Sequence, residues 1–436
     1  MAVNIEDWTI DANEAVTLSI YSPKTGKELT SPFHPTWTYP IFGEEQTIFG
    51  YKDLKIRILF AADDMKPCVE VTWAERFKKV GDVEAEDVKK LLEEFLPAEA
   101  FSIDPPAFLR CITSRTEPFT PPGTLTTSFP HPSEPSSTIT IHRSTLSDPR
   151  TRALLTNMQI LVSLYIEGAT PLDLDDEDWV LSRWEVFTLY SISPEKEHTF
   201  LGYCTLYRHY FFHPSDSNLG RIRLSQILVL PPWHNQGLGR LFYNEIVKYY
   251  LNIPEVVELT VEDPSEVFDD MRTIADLARV RRDPEFANLT LDKALSSLST
   301  KSKSKSASSA SSSSSSPPNL LETIRKRHKL PPRPFSRLLE LHLLSTLDKK
   351  QKRAYKQYRL FVKKRVYKQN SDVLMQLDKG ERREKLETTY QGLEEDYERL
   401  LKHGKTRKVE DDEEKEGSEE SVDVEEEGRR KRVRRE

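Results

Sequence analysis

Between residues 16 and 73 apolar residues recur at every second position in short stretches, as at Leu54, Ile56, Ile58 and Phe60. Pro23, Gly26 and Gly43 break the stretches, which predicts a small β-rich unit. Val88, Leu91, Leu92 and Phe95 then fall at helical spacing, predicting a helix over 83–95 that Pro97 stops. From Pro105 to Pro135 proline and threonine abound without a period, which reads as a long irregular connection. Thr151 to Ile166 has the length and apolar density of a buried helix. Trp179–Tyr190, Phe200–Phe212 and Leu224–Leu230 read as strands, the first two antiparallel neighbours. A glycine-containing turn at His234–Gly239, an amphipathic helix over Arg240–Tyr250 and a strand over Val256–Val261 follow. A further helix begins after Asp263-Pro264. The order helix, three strands, glycine turn, helix, strand is that of a sheet domain with one crossover.

Residues 296–316 are nearly all Ser, Lys and Ala, a composition that cannot bury enough apolar area to fold. Helical periodicity returns at Phe335, Leu338, Leu339 and Leu343, again at Tyr355, Tyr358 and Val362, and later at Leu386, Tyr390 and Leu393. The last stretch holds 12 acidic residues between Glu410 and Glu427, followed by Arg429–Arg435, and reads as a disordered tail. The fold class predicted is α+β. It comprises an N-terminal β-rich domain (1–104), a Pro-rich connection (105–135), a central α/β domain (136–284), a Ser-rich linker (285–318), a C-terminal helical domain (319–404) and a tail (405–436).

Charge changes the picture more than length does. Up to residue 300 the chain carries 28 basic against 45 acidic residues, a net −17; beyond it, 35 against 25, a net +10. A front half so acidic repels nucleic acid and attracts a basic ligand. The three cysteines, Cys68, Cys111 and Cys204, are far apart, so neither a disulfide framework nor a metal site is expected. The first ten residues carry Glu6 and Asp7 where a signal peptide would be basic. No apolar run approaches the roughly 20 residues needed to cross a bilayer, so no membrane role is expected.

Gln236-Gly237-Leu238-Gly239-Arg240 follows a strand and opens a helix, which gathers backbone N–H groups and the positive end of a helix dipole around one concavity suited to pyrophosphate. A GxG alone is equally a tight strand-to-helix turn, and Phe242 stands where a dinucleotide fingerprint needs its third glycine. The longer stretch Leu224-Ser225-Gln226-Ile227-Leu228-Val229-Leu230-Pro231-Pro232-Trp233-His234-Asn235-Gln236-Gly237-Leu238-Gly239 resembles the acetyl-CoA-binding core of the GCN5-related N-acetyltransferase superfamily. Glu258–Ser265, together with Phe33-His34-Pro35, Phe42-Gly43 and Phe49-Gly50-Tyr51-Lys52, narrows the resemblance to the type B histone acetyltransferase catalytic subunits, in their fungal form by the C-terminal extension. It extends over roughly residues 5 to 400.

The resemblance implies the GCN5-related acetyltransferase fold and transfer of acetyl from acetyl-CoA, with no metal, to lysines of free, newly made histones, chiefly histone four. Its cofactor would pair along Ile227, Leu228 and Val229 and meet His234, Asn235, Gln236, Gly237, Leu238, Gly239, Arg240 and Ser265. The superfamily usually has Gln or Arg where this chain has His234, so an altered cofactor affinity is expected. A lysine amine attacks only when neutral, and its ordinary pKa is about 10.4, so a carboxylate must take its proton. Glu262, ending a strand in an apolar run where desolvation favours proton transfer, is the candidate base, with Glu167 and Asp263 as the other active-site acids. Tyr207, Arg208 and His209 resemble peptide-groove residues. Glu44 and Glu45, in a loop between short strands, resemble acidic contacts for the histone tail, or else form a solvated turn. Cys204, in an apolar strand, reads as core rather than nucleophile, and the six tryptophans as core or interface anchors.

A WD-repeat histone-binding subunit is the partner the family implies, with no sequence-specific nucleic acid. The run Arg429–Arg435 reads as a nuclear-import signal or as a partner of the adjacent acids, which points to cytoplasm and nucleus. Two alternatives stay open: an acetyltransferase for a small amine or polyamine, and a non-catalytic histone-binding chaperone component.

Overall fold

The computed structural model describes residues 5–214, 218–303 and 319–402, and divides after Ser265 into two compact units. In the first, β1 (Val16–Tyr21), β2 (Lys55–Ala61) and β3 (Pro67–Thr72) form a sheet in the order β1-β2-β3, with β1 parallel and β3 antiparallel to β2. The alternation at Ile56, Ile58 and Phe60 is realised in β2, and all three side chains are fully buried. The helical turn α1 (Tyr39–Phe42) precedes β2, and the helix expected over 83–95 is confined to α2 (Val88–Glu93), capped by Asp87.

The stretch expected to be irregular is partly ordered. Helix α3 (Pro105–Thr113) is capped by Asp104, with its prolines in the first turn where no hydrogen bond is lost, and it lays Phe108 and Ile112 on Leu59 and Cys68 of the small sheet. Strand β4 (Thr124–Pro130) follows at a sheet edge. It is paired along one side only and none of its residues is buried, so no apolar alternation betrays it in the sequence.

The larger sheet has the order β9-β8-β7-β6-β5-β4, with β5 (Thr138–Thr145), β6 (Trp184–Ile192), β7 (His198–Tyr210), β8 (Gly220–Val229) and β9 (Val256–Val261). Its neighbours are antiparallel except β8 and β9, which are parallel and joined through α7 (Leu238–Leu251). The buried helix expected over 151–166 is two helices, α4 (Pro149–Met158) and α5 (Ile160–Tyr165), meeting at Gln159. The first part of the strand expected from Trp179 is instead the turn α6 (Asp178–Leu181). The expected division between residues 1–104 and 136–284 is absent from the packing. Ile20, Ile58 and Phe60 of the small sheet share one core with Leu154 and Leu161 of α4 and α5 and with Tyr190, Phe200 and Leu228 of the large sheet. Each such side chain contributes about 1.5–3 kcal/mol of burial, so the two sheets fold as one body.

The second unit is helical: α8 (Glu266–Val280), α9 (Pro284–Ala287), α10 (Leu291–Lys303), α11 (Leu320–Arg327), α12 (Pro332–Thr346), α13 (Lys352–Gln369) and α14 over residues 379–402. The linker expected over 285–318 is therefore helical up to residue 303, because Phe286, Leu289 and Ala294 are buried anchors inside a Ser- and Lys-rich context. Residues 304–318 and the tail over 405–436 lie outside the described residues. Buried Glu340 of α12 binds three helices together, accepting from Arg365 of α13 (2.6 and 2.8 Å) and from Tyr397 of α14 (2.8 Å). Among the described residues no helix is long and apolar enough to cross a membrane.

Candidate active site

Strands β8 and β9 pair only as far as Leu224 and Val261, and the last rung is Glu262 N–H donating to the Leu224 carbonyl (2.9 Å). Beyond it β8 runs on to Val229 with β7 on one side and, among the described residues, no strand on the other. The register against β7 shifts between Thr205 and Leu206, so Ser225 is the extra residue of a bulge at the point where the strands part. Leu230 donates to the Leu201 carbonyl (2.8 Å). By the alternation of an antiparallel ladder, Ile227 and Val229 then turn their N–H and C=O groups to the vacated side. Leu228 points its groups at β7. Gly202 makes this approach possible, since a Cβ there would lie 2.3 Å from the Leu228 carbonyl oxygen. The result is an open row of backbone donors and acceptors of the kind that takes up an extended amide chain.

That row leads into the turn. After the single 3₁₀ turn Pro231–Trp233, Asn235 and Gly237 both adopt left-handed conformations (φ 62° and 74°), and α7 begins at Leu238. The first bond of its ladder is Leu241 N–H to the Gly237 carbonyl (3.1 Å), so the N–H groups of Leu238 and Gly239 have no acceptor within the helix. Gly237 is required by its positive φ. Gly239 is not: a Cβ there would meet nothing within 4 Å. His234 donates from Nε2 to the Val229 carbonyl (2.6 Å), closing the end of the open row with its ring.

Glu262 emerges beside the bulge. Its Oε1 accepts from Arg223 (2.8 Å) and its Oε2 from Ser225 Oγ (2.9 Å), and its side chain is 40% exposed. The desolvated carboxylate expected from the apolar run is thus replaced by an ion-paired one, because the buried part of β9 ends before it. Asp263 follows at a positive φ of 27°, also exposed. Glu167 lies exposed in the turn after α5. Hydrogen bonds gather these distant segments. Buried Gln226, next to Ser225, donates to the Thr170 carbonyl (3.0 Å) and accepts from Thr205 (3.3 Å), tying the Glu167 loop to β8. Gly168 N–H donates to Tyr39 Oη of α1 (3.2 Å), tying the same loop to the segment before Glu44. Glu44 and Glu45 are exposed in a turn between α1 and the strand Thr47–Phe49, not between two strands. Gln46 pins that turn by accepting from Thr38 N–H (2.8 Å) and Asn13 (3.2 Å).

Tyr207 and His209 stand opposite Arg223 and Arg221 on one face of the sheet, and Tyr207 meets Trp184 (4.9 Å) and His209 (4.8 Å) edge-on. Burial first, and then the Arg223 charge, lower the His209 pKa, with Glu262 opposing. Arg208 alternates to the other face, where it donates to the Asn218 carbonyl (3.3 Å), and does not join this group. Cys204 is fully buried and burial pushes its thiol pKa well up, so it is core. Trp73 and Trp179 are exposed rather than core, Trp179 beneath the Arg183 guanidinium. Ser265 is exposed at the end of the first unit. Arg223, Ser225, Gln226 and Tyr39 were not singled out from the sequence. The alternation Arg221, Arg223, Ser225 along an otherwise apolar strand was the available signal.

Residues 8–167 match the family model described as histone acetyl transferase HAT1 N-terminus, and residues 292–348 match that of fungal HAT1, C-terminal. The histone acetyltransferase type B catalytic subunit of Aspergillus oryzae is 35% identical over 91% of this chain and 86% of its own length. The corresponding proteins of Neurospora crassa (34%; 91% and 88%) and Pyricularia oryzae (35%; 94% and 97%) are as similar. Among solved structures, Arabidopsis thaliana NAA60 with a bisubstrate analogue superposes on 32% of this chain and 83% of its own. At 12% identity and a TM-score of 0.24, that likeness adds nothing to the assignment.

Proposed function

The chain belongs to the histone acetyltransferase type B catalytic subunits, and from that premise we propose how it works: acetyl passes from acetyl-CoA directly to a lysine of a free, newly made histone, chiefly histone four. The observation that carries the reading is the open edge of β8, which runs from Ile227 and Val229 into the left-handed turn at Asn235–Gly237 and starts beside Glu262. An extended amide arm matches the edge, and a pyrophosphate matches the N–H groups at the start of α7. The lysine amine then approaches from the face bearing Tyr207 and His209. Glu262, held at both oxygens by Arg223 and Ser225, accepts its proton, directly or through a water, as the amine attacks the thioester carbonyl carbon; the C–S bond then breaks, and coenzyme A leaves as a thiolate that takes a proton from solvent. The N–H of Ile227 or Val229, on the edge, stabilises the developing oxyanion. With Cys204 sealed in the core, an acyl-cysteine relay has no nucleophile near this edge, which favours direct attack in a ternary complex.

The acidic front half and the exposed Glu44 and Glu45 favour a basic histone tail over a substrate already covered by DNA. A WD-repeat histone-binding partner and residence in cytoplasm and nucleus belong to the same proposal, on family resemblance. Labelled acetyl-CoA offered with free histones, nucleosomes or spermidine tests it. Label should enter free histones in large excess over nucleosomes, and less so as salt rises. Label chiefly in spermidine would assign a polyamine acetyltransferase, and label nowhere a chaperone component.

A further inference from the structure

Helix α13 carries eight basic residues and no acidic one. Three of the eight are used in packing: Arg365 on buried Glu340, and Arg359 and Lys363 on Glu387 of α14. The others are exposed. Lys352, Lys356, Lys364 and Lys368, with Leu360 between them, follow one another at i, i+4 and form an inclined ridge on the solvent side, opposite the buried ridge Tyr358, Val362 and Val366; Arg353 lies beside it. Among the described residues none of these five cationic side chains has an ion-pair or hydrogen-bond partner. Like charges at i, i+4 repel, so the bare ridge weakens its own helix. It calls for an anionic occupant.

We propose that this ridge is the docking surface for the chain's own acidic segment, Glu410–Glu427. Charge complementarity is the first argument: twelve acids and a single Lys415 in that segment face five unpaired cations, and Val422 and Val424 among the acids match Leu360 among the lysines. Position is the second. Lys349, three residues before Lys352, pairs with Glu394 (2.8 Å) and Glu398, which brings the last turns of α14 beside the start of the ridge. Residue 410 is eight residues past the end of α14, a reach of up to about 27 Å. The ridge from Lys352 to Lys368 is about 24 Å long, well within the extended span of the acidic segment. A tether this short holds the segment at millimolar effective concentration, so individually weak surface pairs suffice.

The test uses the full chain. Brief acylation with an N-hydroxysuccinimide ester at low salt, read by peptide mass spectrometry, compares it with a full-length variant whose twelve acids are replaced by Ser and Gln. Lys356 and Lys364 should react roughly threefold or more slowly in the native chain, and the difference should vanish at high salt, where screening is short-ranged. Carbodiimide coupling of the native chain should join ridge lysines to segment glutamates within the monomer at any protein concentration. The Lys352, Lys356, Lys364 and Lys368→Gln variant, which leaves the buried ridge intact, should lose those links. Equal lysine reactivity in the two chains overturns the proposal, as do links found only to Lys415 and Lys431 within the tail. Links found only between chains would make the occupant a second copy. Protection of the ridge that appears only when duplex DNA is added would make it nucleic acid.

Discussion

Replacing Glu262 by Gln separates the ion pair its carboxylate makes from the base role proposed for it. The amide keeps one oxygen for Arg223, and Ser225 can turn from donor to acceptor, so the side chain should stay where it is. Because the Glu262 side chain is 40% exposed, the lost ion pair costs folding only about 0.2–1 kcal/mol. The lost proton acceptor costs far more. A positioned general base contributes about 10²–10⁴-fold, or about 2.7–5.5 kcal/mol of the barrier. Steady-state kinetics on a histone-tail peptide at saturating acetyl-CoA, run beside thermal unfolding, should therefore show kcat down by about 10²–10⁴ with acetyl-CoA binding close to unchanged and Tm moved by only a few degrees. The deficit should also shrink with alkali. Without a base the variant depends on the spontaneously neutral fraction of the lysine, which rises about tenfold per pH unit below its ordinary pKa of about 10.4. A kcat within about threefold of native at neutral pH, or a deficit that stays constant as pH rises, would refute the assignment and move it to Glu167 or Asp263.

Gly239→Val enters open space at the start of a helix, so Tm should hold or rise, while acetyl-CoA affinity measured by calorimetry falls about tenfold if phosphates sit against that backbone; undiminished affinity in the folded variant would remove the turn from the site. His142 lies edge-on to Tyr190 (6.2 Å) with Nε2 buried and without a hydrogen-bond partner among the described residues, and burial together with neighbouring His198 pushes its pKa down to about 4 from 6.5. A base held neutral in the fold but charged on unfolding stabilises fully above 6.5, and that stability is lost as pH falls from 6.5 toward 4. His142→Gln should therefore flatten the loss of stability in urea titrations across that window, and an unchanged acid slope would contradict it.

The strand, turn and helix around Gly237 were legible in the chain because each rests on local chemistry: apolar runs, a left-handed position that glycine or asparagine tolerates, and a helix opening at once behind it. Glu262 stood out for the same reason, as the first charged residue after the apolar end of β9. What surrounds it did not. Arg223 and Ser225, 39 and 37 positions away, reach Glu262 only through the parallel register of β8 and β9, and the bulge at Ser225 is a property of the pairing with β7. The gathering of Glu167 and the Glu44–Glu45 turn toward the same edge depends on Tyr39 and Gln226, whose side chains find backbone partners more than 50 positions away. Composition misled where a few buried anchors decided the outcome. Phe286, Leu289 and Ala294 order the start of the Ser-rich stretch, and Phe108 and Ile112 order part of the Pro-rich one. By itself, then, the sequence determined the family, the elements of the candidate cofactor edge and the candidate base. Only tertiary structure decided that the candidate base is ion-paired and exposed, that Arg208 faces away, and that the two sheets share one core. Local periodicity says which residues can lie on a common face, whereas the register between strands and the burial of a few apolar anchors say which faces meet.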